Sequence, residues 1–107
     1  MTEWIVPALV LRIIDGDTIA VTLDLGWGIY KNDHVRFAGI NAPELKTTEG
    51  VAAKDFLGTY VQTGDHVQIT SHKLDKYGRC LATVRTITGL NLNALMVSSN
   101  HAVEYMV

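Results

Sequence analysis

Three short segments carry side chains suited to phosphate and metal chemistry: Asp15-Gly16-Asp17-Thr18, Arg36 through Glu44 (RFAGINAPE), and Asp75-Lys76-Tyr77-Gly78-Arg79. Each has an ordinary reading. The first is hairpin-turn chemistry, in which Asp bonds its own backbone and Gly tolerates positive φ. The second is a strand with one solvated arginine, ended by Pro43. The third is a loop with solvated charges. Each also has a chemical reading. Asp17, at the start of a strand, offers a carboxylate to a hard cation. Arg36 and Glu44 put a guanidinium and a carboxylate at the two ends of a short bend, with Asn41 and the Ala42 carbonyl as neutral oxygens suited to Mg²⁺ or Ca²⁺. The third segment offers two cations and an aromatic ring, a combination that suits phosphates and a base. Together they make a kit for phosphodiester hydrolysis, which needs cations to offset charge at phosphorus and a base to activate water. Arginine meets the first need because its planar fork holds two phosphate oxygens and keeps its proton. A carboxylate within one water of the phosphorus meets the second. There is no Ser, Cys or His nucleophile arrangement and no Gly-rich phosphate loop, so attack by water is the chemistry indicated.

The elements that must position these residues follow from periodicity. Trp4 to Ile14 is an apolar, β-branched run and reads as a buried strand. Thr18 to Leu25 alternates, with Ile19, Val21, Leu23 and Leu25 on one face. Gly26-Trp27-Gly28 marks a turn, and Tyr30 to Ile40 reads as a third strand with Val35 and Phe37 opposite His34 and Arg36. From Glu49 to Val61 the period changes: Ala52, Phe56 and Tyr60 fall on one helical face flanked by Ala53 and Leu57, with Thr48 as N-cap and Gly64 beyond the end. An interior Gly58 weakens that helix by about 1 kcal/mol. Val67 to Ser71 and Cys80 to Ile87 are two further strands, and Asn91 caps a short helix carrying Leu92, Leu95, Met96 and Ser99 on one face. This order predicts a mainly β (α+β) fold, a five-stranded OB-fold barrel with a helix between strands 3 and 4 and a short C-terminal helix.

Composition bounds the rest. With 107 residues the chain holds one domain, and 48% hydrophobic against 19% charged residues exclude a disordered or low-complexity segment. A single cysteine, Cys80, excludes an internal disulfide framework and reads as a packing residue. The four histidines lack the close pairing of zinc motifs. Nine Lys and Arg against eleven Asp and Glu give a net charge of −2, which argues against a generic nucleic-acid coat protein. Lys73, Lys76, Arg79 and Arg85, opposed only by Asp75, still form a local basic stretch able to bind a polyanion. No apolar run approaches the ~18 residues of a membrane span, so no membrane partner is expected. Lacking a signal peptide, the chain as given reads as cytoplasmic by default, and a mature secreted form would read the same.

The pieces IDGDT (Ile14–Thr18), VRFAGINAPE (Val35–Glu44) and DKYGR (Asp75–Arg79) resemble, in order and spacing, the staphylococcal nuclease (thermonuclease) family, over a stretch from about Leu9 to Tyr105. The resemblance implies a calcium-dependent, sugar-nonspecific nuclease on an OB-fold, acting on DNA or RNA and leaving 3′-phosphate and 5′-hydroxyl ends. It implies Asp17, Asn41 and the Ala42 carbonyl as calcium ligands and Arg36 as the ligand of the scissile phosphate. Glu44 then orients or deprotonates the attacking water, and Arg79 stabilises the transition state. Lys76 and Tyr77 contact nucleotide phosphate, and Tyr105 matches a substrate-contacting tyrosine. The sequence departs from the family's pattern at Asn41, where the family has a second calcium-ligating aspartate. One negative charge is lost, so weak calcium binding is expected, near roughly 10⁻³ M. Ala42 stands where the family has a threonine that ligates through its carbonyl. The family's basic character is missing, which weakens long-range attraction to DNA, and the chain ends at Val107 without the long C-terminal helix of many members. The competing reading is a non-catalytic OB module that binds nucleic acid or protein. The presence together of Asp17, Arg36, Glu44 and Arg79 favours the enzyme, and no obligate protein partner is evident.

Overall fold

The computed structural model describes residues 4–74 and 80–105. Three strands run antiparallel in succession: β1 (Trp4–Asp15), β2 (Thr18–Asp24) and β3 (Tyr30–Phe37). The alternation of β2 and β3 holds as expected, with Ile19, Val21, Leu23, Val35 and Phe37 buried. β1, expected to be buried along its length, also alternates: Val6, Ala8 and Val10 are buried, and Ile5 and Leu11 are exposed. The third strand stops three residues early. Gly39, at φ +77°, turns the chain, and the next two residues form a separate short strand, β4 (Ile40–Asn41), that pairs with β7 (Val103–Glu104).

Helix α1 (Thr48–Leu57) differs from the periodicity in both register and length. Its N-cap is Thr47, whose hydroxyl accepts from the Gly50 N–H at 2.9 Å. Its buried stripe is Gly50, Ala53 and Leu57, while Ala52 and Tyr60 are exposed and Phe56 is half-buried. The helix ends at Leu57 because Gly58 is its C-cap. Beyond it the chain tightens, with Thr59 N–H donating to Phe56 O and Tyr60 N–H to Leu57 O. Gly58 thus stands at the end of the helix rather than in its interior.

β5 (His66–Leu74) then pairs antiparallel with β1, and β6 (Cys80–Thr86) pairs antiparallel with β5 and parallel with β3. The result is a closed barrel in the order β1-β2-β3-β6-β5, the OB-fold read from the element order. Helix α2 (Leu92–Ser98) is capped by Asn91 as expected and terminated by Asn100 at φ 65°. The inner faces of the strands, Ala53 and Leu57 of α1, and Leu92 and Met96 of α2 form one core. Among the described residues no helix is long and apolar enough to cross a membrane.

One buried polar side chain ties this core to the β3–β4 turn. Asn93 accepts from Val84 N–H at 3.0 Å and donates to Ala38 O at 2.9 Å and Ala82 O at 3.0 Å. A buried polar group left bare costs about 1–3 kcal/mol, so Asn93 holds α2 against β6 and pins from behind the turn that leads to Asn41 and Ala42.

Candidate active site

The turn between β1 and β2 delivers Asp17 to the barrel wall with its side chain buried, at 9% exposure. A buried carboxylate must be paired or hydrogen-bonded, and each oxygen has a partner. Oδ1 accepts from the Thr18 hydroxyl at 3.0 Å, and Oδ2 from the Ala42 N–H at 2.8 Å. Arg36 Nη1 lies 3.4 Å from the same Oδ2. That pairing follows from register: Thr18 faces Arg36 across β2 and β3, and Phe37 N–H donates to Asp17 O at 2.8 Å.

Arg36 is itself locked. Nη1 donates to Phe37 O at 2.9 Å and Nη2 to Asn41 Oδ1 at 3.1 Å, leaving its side chain 11% exposed. Four residues from two of the three segments, Asp17 from the first and Arg36, Asn41 and Ala42 from the second, thus form one connected group. Asp15 adjoins it, with Oδ1 accepting from Asp17 N–H at 3.1 Å. Burial raises the Asp15 pKa to about 6; the side chain and charge of Asp17 push the same way, and the Asp17 N–H bond opposes them.

Glu44 stands apart from this group. Its exposed carboxylate pairs with Lys46 Nζ at 3.3 Å. Its backbone is held instead, since Glu44 O accepts from both the N–H (3.0 Å) and the hydroxyl (2.6 Å) of Thr47, the residue that caps α1. Tyr105 is exposed, and its N–H donates to Gly39 O at 2.8 Å, next to the paired β4 and β7. Lys76, Tyr77 and Arg79 lie outside the described residues. The strand ends flanking them, Leu74 and Cys80, pair with each other, and Cys80 pairs with Val35, the neighbour of Arg36. Cys80 is buried, in keeping with a packing role.

Two contributors escaped the sequence reading. Gly16 is absent from the positive-φ residues; it is needed for space, because a Cβ there would lie 2.8 Å from Ala53 Cβ and 2.9 Å from Ala42 Cβ. The acidic turn is therefore pressed directly onto α1 and onto the segment carrying Asn41. Thr47 was missed by one position, although a Thr at either place satisfies the same sequence rule for an N-cap.

As for a cation, the oxygens of Asp17, Asn41 and Ala42 are hard donors of the kind calcium takes. Among the described residues no group of three or more His, Cys, Asp or Glu side chains could hold a metal ion. The donor set thus fits calcium in kind and is poor in charge.

An OB-fold barrel whose third strand carries an arginine locked to a buried acidic turn is the class of protein that fold and site define. The chain belongs to the family of staphylococcal nuclease homologues, whose profile matches residues 34–107. It is 32% identical to Endonuclease YhcR of Bacillus subtilis (strain 168), over 92% of this chain and 9% of that protein. It is 35% identical to an uncharacterized endonuclease of Escherichia coli O157:H7, over 90% of this chain and 59% of that one. Micrococcal nuclease of Shigella flexneri is 37% identical over 90% of this chain and 56% of its own length. The chain spans between 9% and 59% of the length of these relatives.

Proposed function

We propose that the chain is a calcium-dependent nuclease domain that hydrolyses phosphodiester bonds of DNA or RNA by attack of water. The observation that carries this reading is the locked Arg36, held by Phe37 O, Asn41 Oδ1 and Asp17 Oδ2 at the barrel surface. A guanidinium fixed before the substrate arrives needs no reorganisation as charge develops on a phosphate. Its five N–H donors exceed what the protein uses, and the bond to exposed Asn41 is the one a phosphate can most readily replace.

In this proposal Asp17, Asn41 and the Ala42 carbonyl hold calcium, which would neutralise phosphate charge when bound. Glu44 orients the water or takes its proton, and its exposed ion pair with Lys46 is weak enough to break on substrate binding. Water adds to phosphorus while the bond to the 5′ oxygen breaks. That oxygen leaves with a proton from solvent, supported by Arg79, and the phosphate stays on the 3′ side. Lys76, Tyr77 and Tyr105 contact the nucleotide. The names of the endonuclease and nuclease relatives support the same reaction class.

The test is cleavage of single-stranded DNA and RNA at low salt with millimolar Ca²⁺ against EDTA. Calcium-dependent cutting that Arg36→Ala protein lacks is the expected result. Binding without cutting by folded wild-type protein moves the chain to the non-catalytic OB modules. A second expectation concerns the metal. Asn41→Asp adds a charge to the donor set and should tighten calcium binding about tenfold or more in a calorimetric titration, since affinity follows ligand charge. An unchanged affinity places Asn41 away from the metal.

A further inference from the structure

The tip of the β2–β3 hairpin is the least explained part of the surface. Trp27 is 99% exposed and sits at φ 60°, between Gly26 and Gly28, both also at positive φ. A bulky residue in the left-handed region is a conformational outlier, and a solvated indole gains nothing from packing to offset it. Tyr30, at the start of β3, is 65% exposed.

Register connects this tip to the candidate site. Thr18 pairs with Arg36, Ala20 with His34, Thr22 with Asn32 and Asp24 with Tyr30. Cross-strand partners share a face, as the 2.7 Å hydrogen bond from Thr22 Oγ1 to Asn32 Oδ1 shows here. Arg36, His34, Asn32 and Tyr30 therefore form one row down the outside of the barrel, about 20 Å long at 3.4 Å per residue. Across β2, Ala20 is also paired with exposed Arg12 of β1, which has no ion-pair partner among the described residues. The end near Arg36 thus presents two guanidiniums, that of Arg36 paired with Asp17 and that of Arg12 turned to solvent. The tip is aromatic, and its nearby Asp24 is occupied in bonding the Gly26 N–H at 3.0 Å.

Resting on the nuclease reading above, we infer that this outer face is a track for single-stranded nucleic acid running from the cleavage site to the hairpin tip. Arg12 and His34 contact phosphates nearest the site, and Tyr30 and Trp27 stack bases at the far end. The occupant is fixed by continuity, because a strand whose phosphate lies at Arg36 meets this row next. Stacking at the tip suits bases, since an aromatic ring accepts any base face, and the length agrees with the roughly 4–16 nucleotides that one OB-fold engages.

The test measures binding in EDTA, so that cleavage plays no part. Fluorescence anisotropy of labelled twelve-residue and three-residue oligothymidylates is compared for wild type, Trp27→Gly and Tyr30→Ala. Glycine suits the positive φ at residue 27, so that variant keeps its fold, and circular dichroism checks both. Each variant is expected to weaken the twelve-mer about tenfold and the three-mer less than twofold, with the wild-type indole fluorescence quenched only by the longer oligomer. Twelve-mer affinities within twofold of wild type in both variants overturn the track and leave the nuclease reading standing. A wild-type protein that binds neither oligomer defeats both. If Trp27→Gly instead dissolves a dimer in sedimentation, or abolishes binding to phosphatidylcholine vesicles, with oligomer affinity unchanged, the tip serves a second copy or a membrane and the track is wrong.

Discussion

Replacing Arg36 by alanine is expected to lower cleavage by at least about 10³-fold, the scale seen when a preorganised donor or arginine is removed from a charge-developing site. The same change strips a buried carboxylate of its cationic neighbour. Breaking a buried pair from one side costs about 3–5 kcal/mol. Here Asp17 keeps the Thr18 hydroxyl and the Ala42 N–H, so a loss nearer 2–3 kcal/mol is expected. For a domain of this size that lowers Tm by roughly 10–20 °C. Both readouts are needed: activity at 20 °C on protein shown folded by circular dichroism, and the melting curve. Arg36→Lys separates them. It keeps the charge beside Asp17 and loses the fork that reaches Phe37 O and Asn41 together, so it should recover more stability than activity. A folded Arg36→Ala protein that cuts at the wild-type rate sinks the mechanism.

The second large effect is expected at Gly50, far less obvious than a charged residue. Alanine inside a helix is ordinarily about 1 kcal/mol better than glycine. At this position a methyl group would collide with the Glu44 carbonyl and approach Leu45 Cα to 2.9 Å. Those are backbone atoms of the segment that carries Glu44, held by Thr47, so the strain cannot relax through a side chain. Gly50→Ala should therefore destabilise by about 2–3 kcal/mol, the usual scale of overpacking. It should also displace Glu44, with a loss of up to about 100-fold in cleavage if the shift approaches 1 Å. Chemical denaturation and single-turnover cleavage read the two effects. A more stable variant would mean the segment yields freely. A destabilised variant of unchanged activity would detach the position of Glu44 from the chemistry.

How much was legible in the sequence depended on whether the signal was local. Alternation at Ile19, Val21 and Leu23 gave β2 directly, because a two-residue period needs no knowledge of the partner strand. The DGD turn and Asn91 cap were equally local. The end of α1 was not, since Thr59 and Tyr60 continue the helical spacing while bonding only to carbonyls three residues back. β4 and β7 are two residues each, too short for any period to register. At the site, the residue types were visible but their joining was not. That Asp17 meets Arg36 follows from the register of β2 on β3, and that Gly16 is needed for space follows from the docking of α1. Both are tertiary facts.

The parallel pairing of Val35, Arg36 and Phe37 with Cys80, Leu81 and Ala82 also sets a timetable for the nascent chain. β1, β2 and β3 are neighbours in sequence and can pair as soon as they emerge. The seam that seals their inner faces must wait until Thr86 has left the ribosome. At about 5–20 residues per second, the stretch from Phe37 to Thr86 takes roughly 3–10 s to synthesise. Throughout that interval Ile19, Val21, Val35 and Phe37 have no opposite wall. Chains stalled before Cys80 should remain sensitive to protease and those stalled well past Thr86 resistant; equal resistance would show that the meander folds without its seam. The acidic turn and its arginine are thus encoded in the part of this barrel that is made first and must wait longest for shelter.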